Sequence, residues 1–116
     1  MIFCIDKPDK CEISSRTCEI RGWCTVPSFG SGRVRLEIDG IPAPFTCMRR
    51  PDVEEAYPGE TAQGFVLQLD LTYYMRAIQD SALVLKIIAG ETEEAEVKFR
   101  VSREALGLCM AVACGL

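Results

Sequence analysis

CMRRPDVEEAYPGETAQGFVLQLDL, residues Cys47–Leu71, joins two kinds of text. From Gly64 onward the apolar residues take every second position, with Phe65, Leu67, Leu69 and Leu71 set against Val66, Gln68 and Asp70. A period of two marks a strand with one buried face. Before it, Arg49–Glu60 has no period and is punctuated by Pro51 and by Tyr57-Pro58-Gly59. This part reads as a long irregular crossing. Within it, Val53–Ala56 reads as one helical turn begun near Pro51, with Asp52 and Glu54 close to the positive end of the local dipole.

The same alternation recurs on both sides of this stretch. Thr17–Val26 puts Cys18, Ile20, Gly22, Cys24 and Val26 on one face, and Glu19, Arg21, Trp23 and Thr25 on the other. Trp23 therefore packs under a loop or stands exposed, and Pro27 with Ser28–Gly32 ends the strand. In Arg33–Asp39, Val34, Leu36 and Ile38 point inward, and Asp39-Gly40 suits the two positive-φ positions of a type I′ turn. A two-residue loop pairs Ile38 with Ile41, Leu36 with Ala43 and Val34 with Phe45. Pro42 and Pro44 cannot donate to a ladder, so the returning strand is an edge.

Residues 2–5 predict a short first strand, and Tyr73–Asp80 a compact crossover. Ser81–Ala89 is a strand with Leu83, Leu85 and Ile87 on its core face. Val84 and Ile88 make its other face apolar too, as in a central or partly covered strand. The last strand carries Ala95, Val97, Phe99 and Val101 inward. A two-residue loop between these strands would set Ile87 against a charged Glu. A three-residue loop, Gly90–Thr92, sets Ile87, Leu85 and Leu83 opposite Ala95, Val97 and Phe99. Six or seven short strands with frequent turn signals and no long helical stripe predict an all-β protein, an antiparallel β-sandwich.

At 116 residues the chain is one domain in size. We read residues 1–102 as the sandwich. Residues 103–116 read as an apolar C-terminal tail or linker leading to another domain of a longer protein. The apolar run LGLCMAVACGL is half the length of a membrane span, which needs about 20 residues. A net charge of −4 argues against a nucleic-acid module and against a polybasic membrane surface. With no His, the usual neutral-pH base and commonest metal ligand are missing. The seven cysteines are odd in number, contain no C-x-x-C pair and follow no signal peptide. They read as reduced, mostly buried thiols of a cytoplasmic protein.

Candidate contact residues cluster in the crossing. Arg49, Arg50, Asp52, Glu54, Glu55 and Tyr57 could line a ligand site, an Arg fork gripping carboxylate or phosphate and a Tyr stacking on a sugar. The structural alternative is that Arg50 and Asp52 pin the crossing through an ion pair and backbone hydrogen bonds. The acids lack the oxygen spacing of a calcium loop. Cys24 and Cys47 lie on predicted core faces with no base to activate them. Asp52 and Asp70 make a poor glycosidase pair, since Asp70 is on an outer face with no evident cleft. Trp23, Tyr73 and Tyr74 could form a carbohydrate platform, or could cover a sheet edge and dock a neighbour. The residues predict no catalytic group, cofactor or metal.

An ordered set of short pieces runs through residues 15–101: Gly22-Trp23, Val34-Arg35-Leu36 with Asp39-Gly40, Arg50-Pro51-Asp52-Val53 with Tyr57-Pro58, Gly64-Phe65 with Leu69-Asp70-Leu71, Leu83-Val84-Leu85, and Val97-Lys98-Phe99. In this order they resemble the immunoglobulin-like accessory domain found beside bacterial glycosyltransferase and methyltransferase domains. One departure is Tyr73-Tyr74-Met75-Arg76, where that family often has a Gly-containing turn. The resemblance implies an immunoglobulin-like sandwich of about seven strands without activity of its own. It further implies a docking or assembly role beside an adjacent catalytic domain or protein partner, with Arg49, Arg50, Asp52, Tyr57 and Trp23 as contacts. The alternative role is a carbohydrate-binding module that presents a glycan acceptor.

Overall fold

The computed structural model describes residues 1–26, 34–74, 80–90 and 93–113, residues 110–113 by backbone alone. In chain order the strands are β1 (Phe3–Lys7), β2 (Glu12–Ile13), β3 (Thr17–Val26), β4 (Val34–Ile38), β5 (Ile41–Pro42), β6 (Thr46–Arg49), β7 (Thr61–Asp70), β8 (Ala82–Ala89) and β9 (Glu93–Val101). Among the described residues two helices, α1 (Pro51–Ala56) and α2 (Arg103–Ala113), accompany them. The strands form two sheets, ordered β1-β3-β7-β6 and β2-β9-β8-β4-β5, packed as a sandwich-like fold.

The longest ladder joins the two best-patterned strands. β3 and β7 pair antiparallel from Thr17↔Asp70 to Val26↔Thr61, so Cys18 meets Leu69 and Ile20 meets Leu67 on the core side. Gly22 faces Phe65 there, and only hydrogen fits. A Cβ on Gly22 would lie 2.5 Å from the Cys4 carbonyl oxygen and 2.8 Å from Phe65 Cζ. In the other sheet β8 pairs with β9 in the register that parity requires, Ile87↔Ala95, Leu85↔Val97 and Leu83↔Phe99. The Ala89↔Glu93 pair leaves three residues for the loop, of which 91 and 92 lie outside the described residues. β8 is central, between β9 and β4. Ile20, Ile38, Leu85, Ile87 and Phe99 are fully buried between the sheets.

The Asp39-Gly40 turn has positive φ at both positions, and Ile38↔Ile41 pair as the two-residue loop demands. The ladder then stops. Glu37↔Pro42 is its last pair, and the Ala43 N–H to the Leu36 carbonyl, at 2.8 Å, is the final link. Pro42 and Pro44 supply no donors, so the chain leaves this sheet and crosses to the other as β6. Ile41, expected inward, is 50% exposed, because β5 is the edge of its sheet.

The structure corrects the reading of Arg49–Glu60. β6 pairs antiparallel with β7, from Thr46↔Val66 to Arg49↔Gln63, so the stretch is the link of a hairpin within one sheet. The true crossing is the short run at residues 43–45. The strands number nine among the described residues, and one pair is parallel: β2 runs alongside β9, Ile13 opposite Val101. The first strand expected at residues 2–5 is present as β1, and β2, which the sequence reading did not contain, lies on the other sheet. The loop at 27–33 and residues 75–79 of the predicted crossover lie outside the described residues, though the crossover opens with a 3-10 turn at Leu71–Tyr73.

Residues 103–113 are helical. Ser102 begins α2 by accepting the Ala105 N–H on its Oγ at 3.1 Å, a hydroxyl N-cap. Ala105 and Cys109, one turn apart, are fully buried, while Leu108 is half exposed. No helix of the described residues is long and apolar enough to cross a membrane.

Candidate functional site

The hairpin link folds back over the outer side of the four-stranded sheet, and two arginine forks hold it there. Pro51 opens α1 with its φ already set. Arg49, at the end of β6, donates from Nε and Nη2 to the Glu54 carboxylate at 3.0–3.2 Å. Glu54 Oε1 also accepts the Ala62 N–H at 3.2 Å, tying α1 to the start of β7. Arg50 donates from Nε and Nη2 to the two Asp52 oxygens at 3.0 and 2.9 Å, and its Nη1 lies 3.5 Å from Asp6 on β1. The Arg50–Asp52 ion pair read from the sequence is present, and Asp6 is a third member.

These contacts set the local electrostatics. The Arg50 guanidinium holds the Asp52 carboxyl below its ordinary range. Arg49, followed by the Ala62 N–H, does the same for Glu54. Each arginine thus has a carboxylate of its own across its fork, which leaves little uncompensated charge to grip an incoming anion.

The β3–β7–β6 register puts Trp23, Gly64 and Met48 in one outward row, flanked by Cys4 of β1. A Cβ on Gly64 would lie 2.9 Å from Arg50 Cγ and 3.0 Å from Met48 Cγ, so both stems lie across the glycine. The Trp23 and Tyr57 rings sit 6.1 Å apart at 43°. Trp23 is half-buried beside the residue that closes α1, while Tyr57 is 38% exposed. In the next row Thr25 is buried, its hydroxyl accepting the Ile2 N–H at 2.9 Å. Ile2 and Met48 are 38% and 42% exposed. The result is an apolar surface of Ile2, Trp23, Met48 and Tyr57, bordered by the Arg50–Asp52–Asp6 cluster.

Tyr73 and Tyr74 are not part of this surface. Asp70, which leads into them, lies six residues along β7 from Gly64, about 20 Å. They line a cleft of about 380 Å³ with Ile41, Pro42, Pro44, Leu67, Gln68 and Asp70. Asp70 therefore does border a cleft, contrary to the sequence reading. Its carboxylate is already engaged, by Arg16 Nη1 at 3.1–3.2 Å and by the Thr72 N–H and hydroxyl at 3.1 and 2.7 Å. The Thr72 bonds, then Arg16, hold it below its usual range.

The six described cysteines are free thiols, and Cys114 lies outside the described residues. Cys24 and Cys109 are buried, Cys11 and Cys18 partly so, but Cys4 and Cys47 are exposed. Cys47 opposes Phe65 as its parity predicts, yet β6 is an edge strand and leaves it in solvent. Burial, seconded by Glu93, pushes the Cys24 thiol up to about 11. Burial also raises Cys4, Cys11, Cys18 and Cys109, the opposite of what an activated nucleophile needs.

Sequence reasoning found Trp23, Tyr57 and the arginines but missed Ile2, Asp6 and Met48. Their signal was weak: an apolar residue and an acid at the first strand, and a Met in a stretch without period. Comparison with known proteins found no matching family model, curated protein or solved structure.

Proposed function

We propose that this chain is a non-catalytic immunoglobulin-like domain serving docking or assembly beside a bacterial glycosyltransferase or methyltransferase. Strand order supports the fold part of this reading. Lettered along the chain, one sheet reads A-B-E-D and the other G-F-C-C′, with β2 beyond G, the arrangement of immunoglobulin sandwiches. Cys24 stands on strand B, but β8, strand F, contains no cysteine to form the inter-sheet disulfide of antibody domains. The transferase association rests on the resemblance of the ordered residues from Gly22-Trp23 to Val97-Lys98-Phe99.

The observation that carries the docking role is the outward surface of Ile2, Trp23, Met48 and Tyr57 with its charged border. An apolar centre inside a polar rim is the anatomy of a protein interface. Calorimetric titration of this chain against the polypeptide encoded beside it should show binding. Met48→Asp with Tyr57→Ser should weaken that binding by about tenfold or more. A chain that is strictly monomeric and has no affinity for its neighbour overturns the reading.

The Trp23–Tyr57 pair favours one second reading, a glycan platform in which the two rings stack on a sugar. Glycan titration of the chain and of Trp23→Ala and Tyr57→Ala tests it. Absence of any binding by the unaltered chain removes it.

A further inference from the structure

A shallow cleft of about 580 Å³ opens on the outer side of the five-stranded sheet, where β8 begins and β9 nears its end. Lys98 and Arg100, two apart on β9, reach it from one face, and Lys10 comes from the turn at Asp9–Cys11. Ser81 and Cys11 add a hydroxyl and a thiol, and Asp80 is the one carboxylate of the lining among the described residues. Most cations elsewhere are paired, although Lys7, Arg35 and Arg103 have no carboxylate within 4.0 Å among the described residues. Arg16, Arg21, Arg49, Arg50 and Lys86 each have a carboxylate partner. Lys10 and Lys98 have none within 4.0 Å among the described residues. Arg100 gives Nη2 to Glu12 at 2.6 Å and keeps its other N–H groups available.

The backbone of the same cleft is unusual. Among the described residues four non-glycine positions have positive φ, and three of them line it: Lys10 at 54°, Cys11 at 52° and Ser81 at 54°. L-residues avoid this region because Cβ crowds the following carbonyl. At Gly40, Gly59 and Gly90 the chain makes positive-φ turns with glycine. Around this cleft it retains functional side chains in the same strained conformation, a pattern that favours a binding role.

We propose that this cleft binds a phosphate group. Lys10, Lys98 and the free edge of Arg100 would neutralise it, and the Ser81 hydroxyl would donate a hydrogen bond. Asp80 and the chain's net charge of −4 disfavour a polyanion, so the ligand is a single terminal phosphate rather than a nucleic-acid backbone. That phosphate is either free or carried on a lipid headgroup, and two probes separate these sources. Inorganic phosphate is titrated at constant ionic strength while backbone amide resonances are followed. Vesicles of phosphatidylcholine with and without phosphatidic acid are tested by flotation.

Saturable shifts confined to residues 10–11, 80–82 and 98–100 support a soluble phosphate. Flotation that requires phosphatidic acid supports the headgroup. Lys98→Gln and Lys10→Asn should each weaken binding by about tenfold, as loss of a charge-assisted bond predicts, and Lys98→Arg should retain it. Asn tolerates positive φ, so Lys10→Asn removes the charge without adding strain. Neither saturable shifts nor flotation, shifts spread evenly over the surface, or binding unchanged in both charge-removing variants overturns the proposal.

Discussion

On the four-stranded sheet Ala62 lies outward of the core, yet it is 1% exposed at the strand start that α1 folds against. On the five-stranded sheet the outward residues Lys98 and Arg100 stand in solvent. The inner faces of the two sheets are alike, closely packed aliphatic and phenyl groups. The difference outside comes from one connection. The link between β6 and β7 is long enough to hold a helical turn, and Glu54 and Asp52 on that turn meet Arg49 and Arg50 at the strand end. The β8–β9 link has three residues, of which 91 and 92 lie outside the described residues. At Ala62 the shielding of the four-stranded sheet therefore comes from a link long enough to fold back and from acids placed opposite arginines.

The sharpest way to break this contrast is to put a charge on each outer face. Ala62→Asp should cost about 3 kcal/mol or more, because the carboxylate would be buried next to Glu54. Lys98→Gln should stay within about 0.5 kcal/mol, as exposed substitutions do. Urea unfolding of both variants checks the pair, and equal losses would show that α1 does not shield its sheet. On the inner side, Gly22→Ala should cost about 2–3 kcal/mol through overpacking against the Cys4 carbonyl and the Phe65 ring. Gly40→Ala meets nothing within 4 Å but has φ +82°, and should cost only about 1 kcal/mol.

The smallest effect tests the forks themselves. Asp52, Glu54 and Asp70 have carboxyls lowered by their partners. Their contribution to stability is therefore complete above the ordinary carboxylate range, near pH 4, and is lost as pH falls through the lower folded-state values. Glu54→Gln should reduce the denaturation midpoint at pH 7 and also flatten its decline toward pH 3. A variant with the parent's acid profile would show that the Arg49–Glu54 fork contributes nothing to the folded state.

Much of the sandwich was legible because period two appears wherever one face is dry. β3, β4, β8 and β9 were read close to their true bounds, β7 begins three residues before the Gly64 at which its alternation was recognised, and the β8–β9 register followed from parity alone. β6 was missed because all four of its residues are exposed. An edge strand without a buried side has no period to detect. β2 left no trace either, since it is two residues long. In the candidate site the arginine next to its acid, Arg50-Pro51-Asp52, could be paired by eye. Asp6 could not, because its approach to Arg50 depends on β1 lying across β3, a long-range placement that local pattern does not encode.

That placement of the N-terminal segment bears on the order of folding. β2 lies beside β9, and the Glu12–Arg100 bond joins residues 88 apart in sequence. During synthesis, β3, β4, β6 and β7 can emerge and begin pairing while Glu12 and Ile13 still lack their partner. The seam between the two sheets at this edge can close only after Val101 has left the ribosome. Contacts of such separation carry a large loop-closure entropy and slow folding. Until then the inward side of β3 and β7 is open to water and to other chains, and the Arg100 side chain is among the last to find its place.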